Sequence, residues 1–248
     1  MLRKKLLVGN WKMNKTMAET TAFGHASFEL LRQAKEKHID IGVTPPYLSL
    51  QTLLNINPKL IIGAQNVHHL PKGAYTGEVS IPMLKELGVS WSLVGHSERR
   101  TYFNETDESC NLKVLALLEA GMTPLYCVGE TLTEFEKGVT KKVIKKQIDV
   151  GLKGVKDVKE VVIAYEPVWS IGTGKNASKE IAEDICGYIR GLLEKKYGAD
   201  AHLVRILYGG SVKPNNIKEY MDMPNIDGAL VGGASLSVES YAELIENM

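Results

Sequence analysis

Glu166 follows directly on a run of strand-forming residues, "VVIAY", and precedes Pro167 and the segment "VWSIGTGK". A carboxylate at the lip of a buried strand is partly desolvated and suits the work of a general base. Other polar groups stand in the same relation to apolar runs: Asn10 and Lys12 in "GNWKMN", His96 and Glu98 in "VGHSERR". Two glycine-rich strand ends complete the set, "YGGSV" with Ser211 and "VGGAS" with Gly232 and Gly233. Their backbone N–H groups allow close approach of a phosphate. An amide, an ammonium, an imidazole and two carboxylates are the parts of an acid–base site. Each has a plainer reading alone: a solvated surface lysine, a histidine that only caps a helix, a glutamate paired with an arginine, a glycine pair that makes a turn. Their conjunction at successive strand ends favours chemistry.

The elements that must hold these groups are short and apolar. Strands are expected at Leu6–Val8, Ile39–Val43, Leu60–Ala64, Ser90–Val94, Thr123–Val128, Val161–Tyr165, Val204–Leu207 and Gly228–Val231. Near-continuous Val, Ile and Leu runs mean burial on both faces, as in a parallel sheet covered by helices. Between them lie amphipathic segments. In "SKEIAEDICGYIRGLLEKKYG", Ile181, Ile185, Tyr188 and Leu192 form a stripe, with Ser178 as N-cap and Gly198 as stop. Cys110, Val114, Leu117 and Leu118 repeat the design ahead of Gly121, as do Ile144, Ile148 and Leu152. Roughly eight strand–helix units fit either an open doubly wound sheet or a closed (β/α)8 barrel. The lack of a charged, edge-like strand favours closure, so residues 1–248 are read as one α/β domain, a (β/α)8 barrel. Both architectures bind ligands at the carboxyl ends of their strands.

Composition narrows the function. Thirty Lys and Arg against 29 Asp and Glu give a net charge of +1, no basis for binding nucleic acid or a membrane surface. Cys110, Cys127 and Cys186 are read as reduced core thiols, and the apolar run near the N-terminus breaks too early for a signal peptide. The cytoplasm is the default location. "GTGK" is not a P-loop end, because Asn176 follows the lysine where Ser or Thr should hold magnesium. The histidines outside the cluster, His68 and His69 included, lie on no metal-ligand spacing.

The segments "GNWKMN", "QNVHHLPKGAYTGEVS", "GHSERR", "CVGET", "AYEPVWSIGTGK", "YGGSVKPNN" and "LVGGASL" closely resemble the triosephosphate isomerase family, in the same order and from end to end. The resemblance implies a homodimeric glycolytic enzyme that interconverts dihydroxyacetone phosphate and glyceraldehyde 3-phosphate without metal or organic cofactor. It assigns catalysis to Asn10, Lys12, His96 and Glu166, with Glu98 in ionic support. Phosphate binding falls on Gly172, Ser211, Gly232 and Gly233, beside Asn10 and Lys12. It further implies an electrophilic, neutral His96, this family being the standing example of that device. Residues 167–175 become a hinged lid in which Trp169 and Ile171 exclude water and Gly172 offers its N–H. The 65–80 loop, through Val67, Leu70, Ala74 and Tyr75, becomes the segment that enters a partner subunit. The chain departs from the usual pattern at His69-Leu70-Pro71 in that loop and at Ser170 in the lid. A metal-dependent epimerase would want metal ligands at strand ends, and a Schiff-base aldolase a lysine where Glu166 stands. A non-catalytic scaffold would be free to lose Lys12, His96 or Glu166.

Overall fold

Each strand is apolar on both faces because each packs in two directions. A computed structural model describes residues 3–170 and 176–248. The first half of the chain runs β1 (Leu6–Asn10), α1 (Met17–Glu36), β2 (Asp40–Thr44), α2 (Tyr47–Ile56), β3 (Ile61–Ala64), α3 (Ile81–Leu87), β4 (Trp91–Val94), α4 (Ser97–Tyr102) and α5 (Asp107–Glu119). The second half runs β5 (Thr123–Val128), α6 (Leu132–Glu136), α7 (Thr140–Gly151), β6 (Val162–Tyr165), α8 (Lys179–Tyr197), β7 (Arg205–Tyr208), α9 (Ile217–Met221), β8 (Gly228–Val231) and α10 (Val238–Glu246). The strands pair in parallel in chain order, and β8 returns to β1 to close the barrel. The α/β barrel expected from the sequence is the fold observed.

Alternation along the strands divides the core. Leu6 and Val8 point inward and join Trp91, Leu93, Leu125, Val162, Leu207 and Leu230 in the barrel interior. Leu7 points outward and joins the larger layer between barrel and helices. Gly42 and Gly63 make room for the Trp91 indole: a Cβ on Gly63 would stand 2.7 Å from its Nε1.

Several boundaries move by a residue or two. β1 extends to Asn10, which pairs with Thr44, so Asn10 ends a strand instead of beginning a loop. α8 turns a different face inward from the expected stripe. Ala182, Ile185, Cys186, Ile189 and Leu193 are buried, while Ile181, Tyr188 and Leu192 are partly covered at its flank. A helix of the outer ring touches its neighbours as well as the barrel, so its apolar arc is wider than one stripe. All three cysteines are free and buried.

Candidate active site

Asn10 and Lys12 sit where β1 ends. The Asn10 side-chain oxygen accepts the Lys12 N–H at 3.0 Å, which leaves its NH2 group for a ligand. Lys12 has φ +53°, a left-handed conformation that an L side chain adopts at a cost. Gln65 holds it there, its Nε2 donating to the Lys12 and Thr44 carbonyls at 2.8 Å each. The Lys12 ammonium then lies 2.7 Å from Glu98 Oε1. The lysine is partly buried although Met13 beside it in the chain is 95% exposed.

His96 is the N-cap of α4. Its Nδ1 accepts the Glu98 N–H at 3.2 Å, so the ring proton sits on Nε2, which faces Glu166 Oε1 at 3.1 Å. Glu166 Oε2 accepts the Ser97 N–H at 3.0 Å, and the Glu166 N–H donates to the Val128 carbonyl at 2.7 Å. Burial alone would raise the pKa of this 2%-exposed carboxyl. The neighbouring His96, with help from Ser97 and Lys12, holds it below the ordinary glutamate value. Burial opposes a charge on His96 too, and the Glu166 carboxylate outweighs it, so the imidazole pKa is raised while the two groups touch. The Nδ1 bond works the other way, because a proton there would set two N–H groups face to face.

These side chains line one cavity of about 810 Å³ together with Ser211, Gly232 and Gly233. Glycine is required at one point of close approach: a Cβ on Gly209 would meet Glu166 Cγ at 2.8 Å, whereas one on Gly232 would sit in ordinary contact with Lys12 Cε at 3.4 Å. Asn10, Lys12, His96, Glu98, Glu166, Ser211, Gly232 and Gly233 therefore gather as expected. Gly172, with Ile171 and the Thr173-Gly174-Lys175 hinge, lies outside the described residues.

Glu130 was not anticipated from the sequence. Its Oε1 accepts both the Trp169 Nε1–H at 2.8 Å and the Tyr165 hydroxyl at 3.1 Å, and Trp169 stacks on Phe135 at 4.3 Å. Burial raises the Glu130 pKa against those two donors. Its position in "CVGET", two residues past the end of β5, is close to the signal that marked Glu166 behind β6. Val67, expected to project from the 65–80 loop, is instead fully buried in this chain's core, which leaves Leu70, Ala74 and Tyr75 outward.

A closed parallel barrel with a carboxylate–imidazole pair and a cation at its strand ends defines an enzyme of proton transfer on a small anion. The triosephosphate isomerase family profile matches residues 5–248. The triosephosphate isomerase of Chlorobium luteolum is 48% identical over 248 residues, 99% of each chain. That of Solibacter usitatus is 49% identical over 251 residues, 98% of this chain and 99% of its own. A crystal structure of triosephosphate isomerase from Bartonella henselae superposes with a TM-score of 0.90 at 32% identity, covering 98% of both chains. The chain belongs to the triosephosphate isomerase family.

Proposed function

We propose that the chain interconverts dihydroxyacetone phosphate and D-glyceraldehyde 3-phosphate, with Glu166 as base, His96 as electrophile, Lys12 and Asn10 on the substrate oxygens and Glu98 supporting Lys12. The observation that carries this reading is the buried Glu166–His96 contact at 3.1 Å, facing the Gly232 and Gly233 backbone across one cavity. This contact must open during turnover, because the His96 proton that serves Glu166 is the one a substrate oxygen needs. Substrate entry must displace the carboxylate from His96 Nε2 and Ser97 N–H. Freed of both donors and screened from water, it becomes a stronger base.

Glu166 then takes a proton from C1 of the ketone, and the C–H electron pair moves into an enediolate while the C2 carbonyl π electrons move onto oxygen. His96 Nε2–H and the Asn10 amide donate to the oxygens as charge develops, and Lys12 supplies a fixed positive charge. With Glu166 turned away, burial and the Nδ1 bond both keep His96 neutral. The protonated Glu166 returns its proton at C2, while the proton of the C1 hydroxyl passes through His96 Nε2 to the C2 oxygen, so that the C1 oxygen becomes the aldehyde carbonyl and the C2 oxygen a hydroxyl. Phosphate binding falls to the backbone around Ser211, Gly232 and Gly233 and, from the sequence pattern, to Gly172.

Glu166→Asp retracts the carboxylate by one methylene. It should lower kcat by about a hundredfold or more with little change in KM, since a misplacement of about 1 Å can cost that much. A coupled assay on glyceraldehyde 3-phosphate reads it, and turnover near that of the unmutated enzyme would remove Glu166 from the role of base.

The same reading makes the chain one domain and a homodimer at work in the cytoplasm, with residues 167–175 as a lid. Beside the site a second cavity of about 390 Å³ opens between Met13, Tyr47, Gln65 and Phe103. Its exposed apolar rim supports insertion of a partner's 65–80 loop, with Met13 95% and Phe103 64% exposed. No described helix is long and apolar enough to cross a membrane.

A further inference from the structure

Arg100 lies one turn beyond His96 on α4, and its guanidinium is folded back beneath the strand end that carries the imidazole. Its Nε donates to the Gly95 carbonyl at 2.7 Å, Nη2 to the Cys127 carbonyl at 3.2 Å, and Nη1 to Asp107 Oδ1 at 2.6 Å. The parallel ladder between β4 and β5 ends at the pair Val94–Tyr126. Gly95 and Cys127 are the next residues along, so the guanidinium bridges two carbonyls just past the point where backbone pairing stops. Gly95 is in the left-handed region at φ +74°, and a Cβ there would stand 2.8 Å from Arg100 Nη2. The guanidinium thus packs directly against the backbone of the residue before His96.

We propose that Arg100 is a positioning residue for His96. By fixing the Gly95 carbonyl, it fixes the peptide plane joining Gly95 to His96 and with it the direction of Nε2–H. A rotation of that plane would carry the imidazole with it and strain the Nδ1 bond to Glu98 N–H. Only a planar fork of several N–H groups meets two carbonyls and a carboxylate at once; a lysine ammonium presents its donors from one atom. The proposal rests on His96 acting as electrophile.

The test compares Arg100→Lys, Arg100→Gln and Asp107→Asn with the unmutated enzyme, by steady-state kinetics and by NMR of 15N-histidine-labelled protein. The His96 resonance is identified by its loss in His96→Gln. Both Arg100 variants should lose about 10- to 100-fold in kcat with KM within about twofold, and should shift the His96 Nε2–H signal. Asp107→Asn leaves the bond to Gly95 in place, so it should lower stability while leaving kcat and the His96 signal unchanged. Folded Arg100 variants with an unmoved His96 signal or unimpaired kcat overturn the proposal, as does an equal loss of kcat in Asp107→Asn. Full activity in His96→Gln would instead sink the electrophile role itself. If neither Arg100 variant folds, the unmutated protein decides: the Arg100 Nε–H signal should exchange slowly with solvent and shift together with His96 when glycerol 3-phosphate is titrated in. A fast-exchanging or unmoved Nε–H overturns the proposal.

Discussion

Lys12 combines two properties that substitution can separate, a positive charge beside the cavity and a left-handed backbone. Lys12→Ala and Lys12→Gly remove the same charge. Both should raise KM and lower kcat, because a phosphate dianion and an enediolate lose their nearest fixed cation. The two should differ in stability, since a left-handed conformation costs an L residue roughly 1–2 kcal/mol and glycine little. Denaturant unfolding should therefore find Lys12→Gly the more stable variant by about 1 kcal/mol, after allowance for glycine's greater unfolded-chain entropy. Equal stabilities would show that the backbone there is unstrained, and unchanged kinetics would make Lys12 an ordinary surface lysine. The side chains that face the cavity were legible in the sequence because each stands at or just past a strand end, and strand ends converge in any barrel. The residues that hold them were not. Gln65 acts on a carbonyl 53 residues away in the chain, and Arg100 acts through the Gly95 carbonyl. A bond from a side chain to another segment's backbone leaves no spacing to read.

At the scale of elements, strand number and order could be read from apolar runs with turn residues between them, and boundaries less well. Arg205 begins β7 although it breaks the apolar run, because its side chain reaches Asp40 at 2.9 Å while its backbone pairs with Val162. The same limit hid the contact at the start of the proposed lid, where Trp169 meets Glu130 from a different loop. Trp169→Phe keeps an aromatic surface for Phe135 and deletes the N–H that Glu130 accepts. A loosened hinge should leave the enediolate longer in contact with water, where it can eliminate phosphate. The variant should lose severalfold in kcat and release more inorganic phosphate per isomerisation, measured by a phosphate assay during turnover. An unchanged ratio of phosphate to product would detach Trp169 and Glu130 from closure.

For the molecule as a whole, the exposed Met13 and Phe103 lie beside the site, so association and activity should be linked. Met13→Glu places a charge on that exposed apolar rim, where burial without a partner is costly. Sedimentation should show a shift from dimer to monomer, with most turnover lost in parallel and the helical signal retained. A fully active monomer would refute the link, and the uncommon His69-Leu70-Pro71 in the 65–80 loop gives that comparison added interest. The seam between β1 and β8, Leu6 against Gly228 through Gly9 against Val231, has one more consequence, for the chain while it is being made. At about 5–20 residues per second, synthesis takes on the order of tens of seconds. For nearly all of that time β1 is an open sheet edge, and Asn10 and Lys12 wait at its tip without Gly232 and Gly233 opposite them. The ribosome must deliver its last strand before the nascent sheet can lose its sticky edges, so a message truncated just short of β8 should yield aggregate instead of a weaker enzyme.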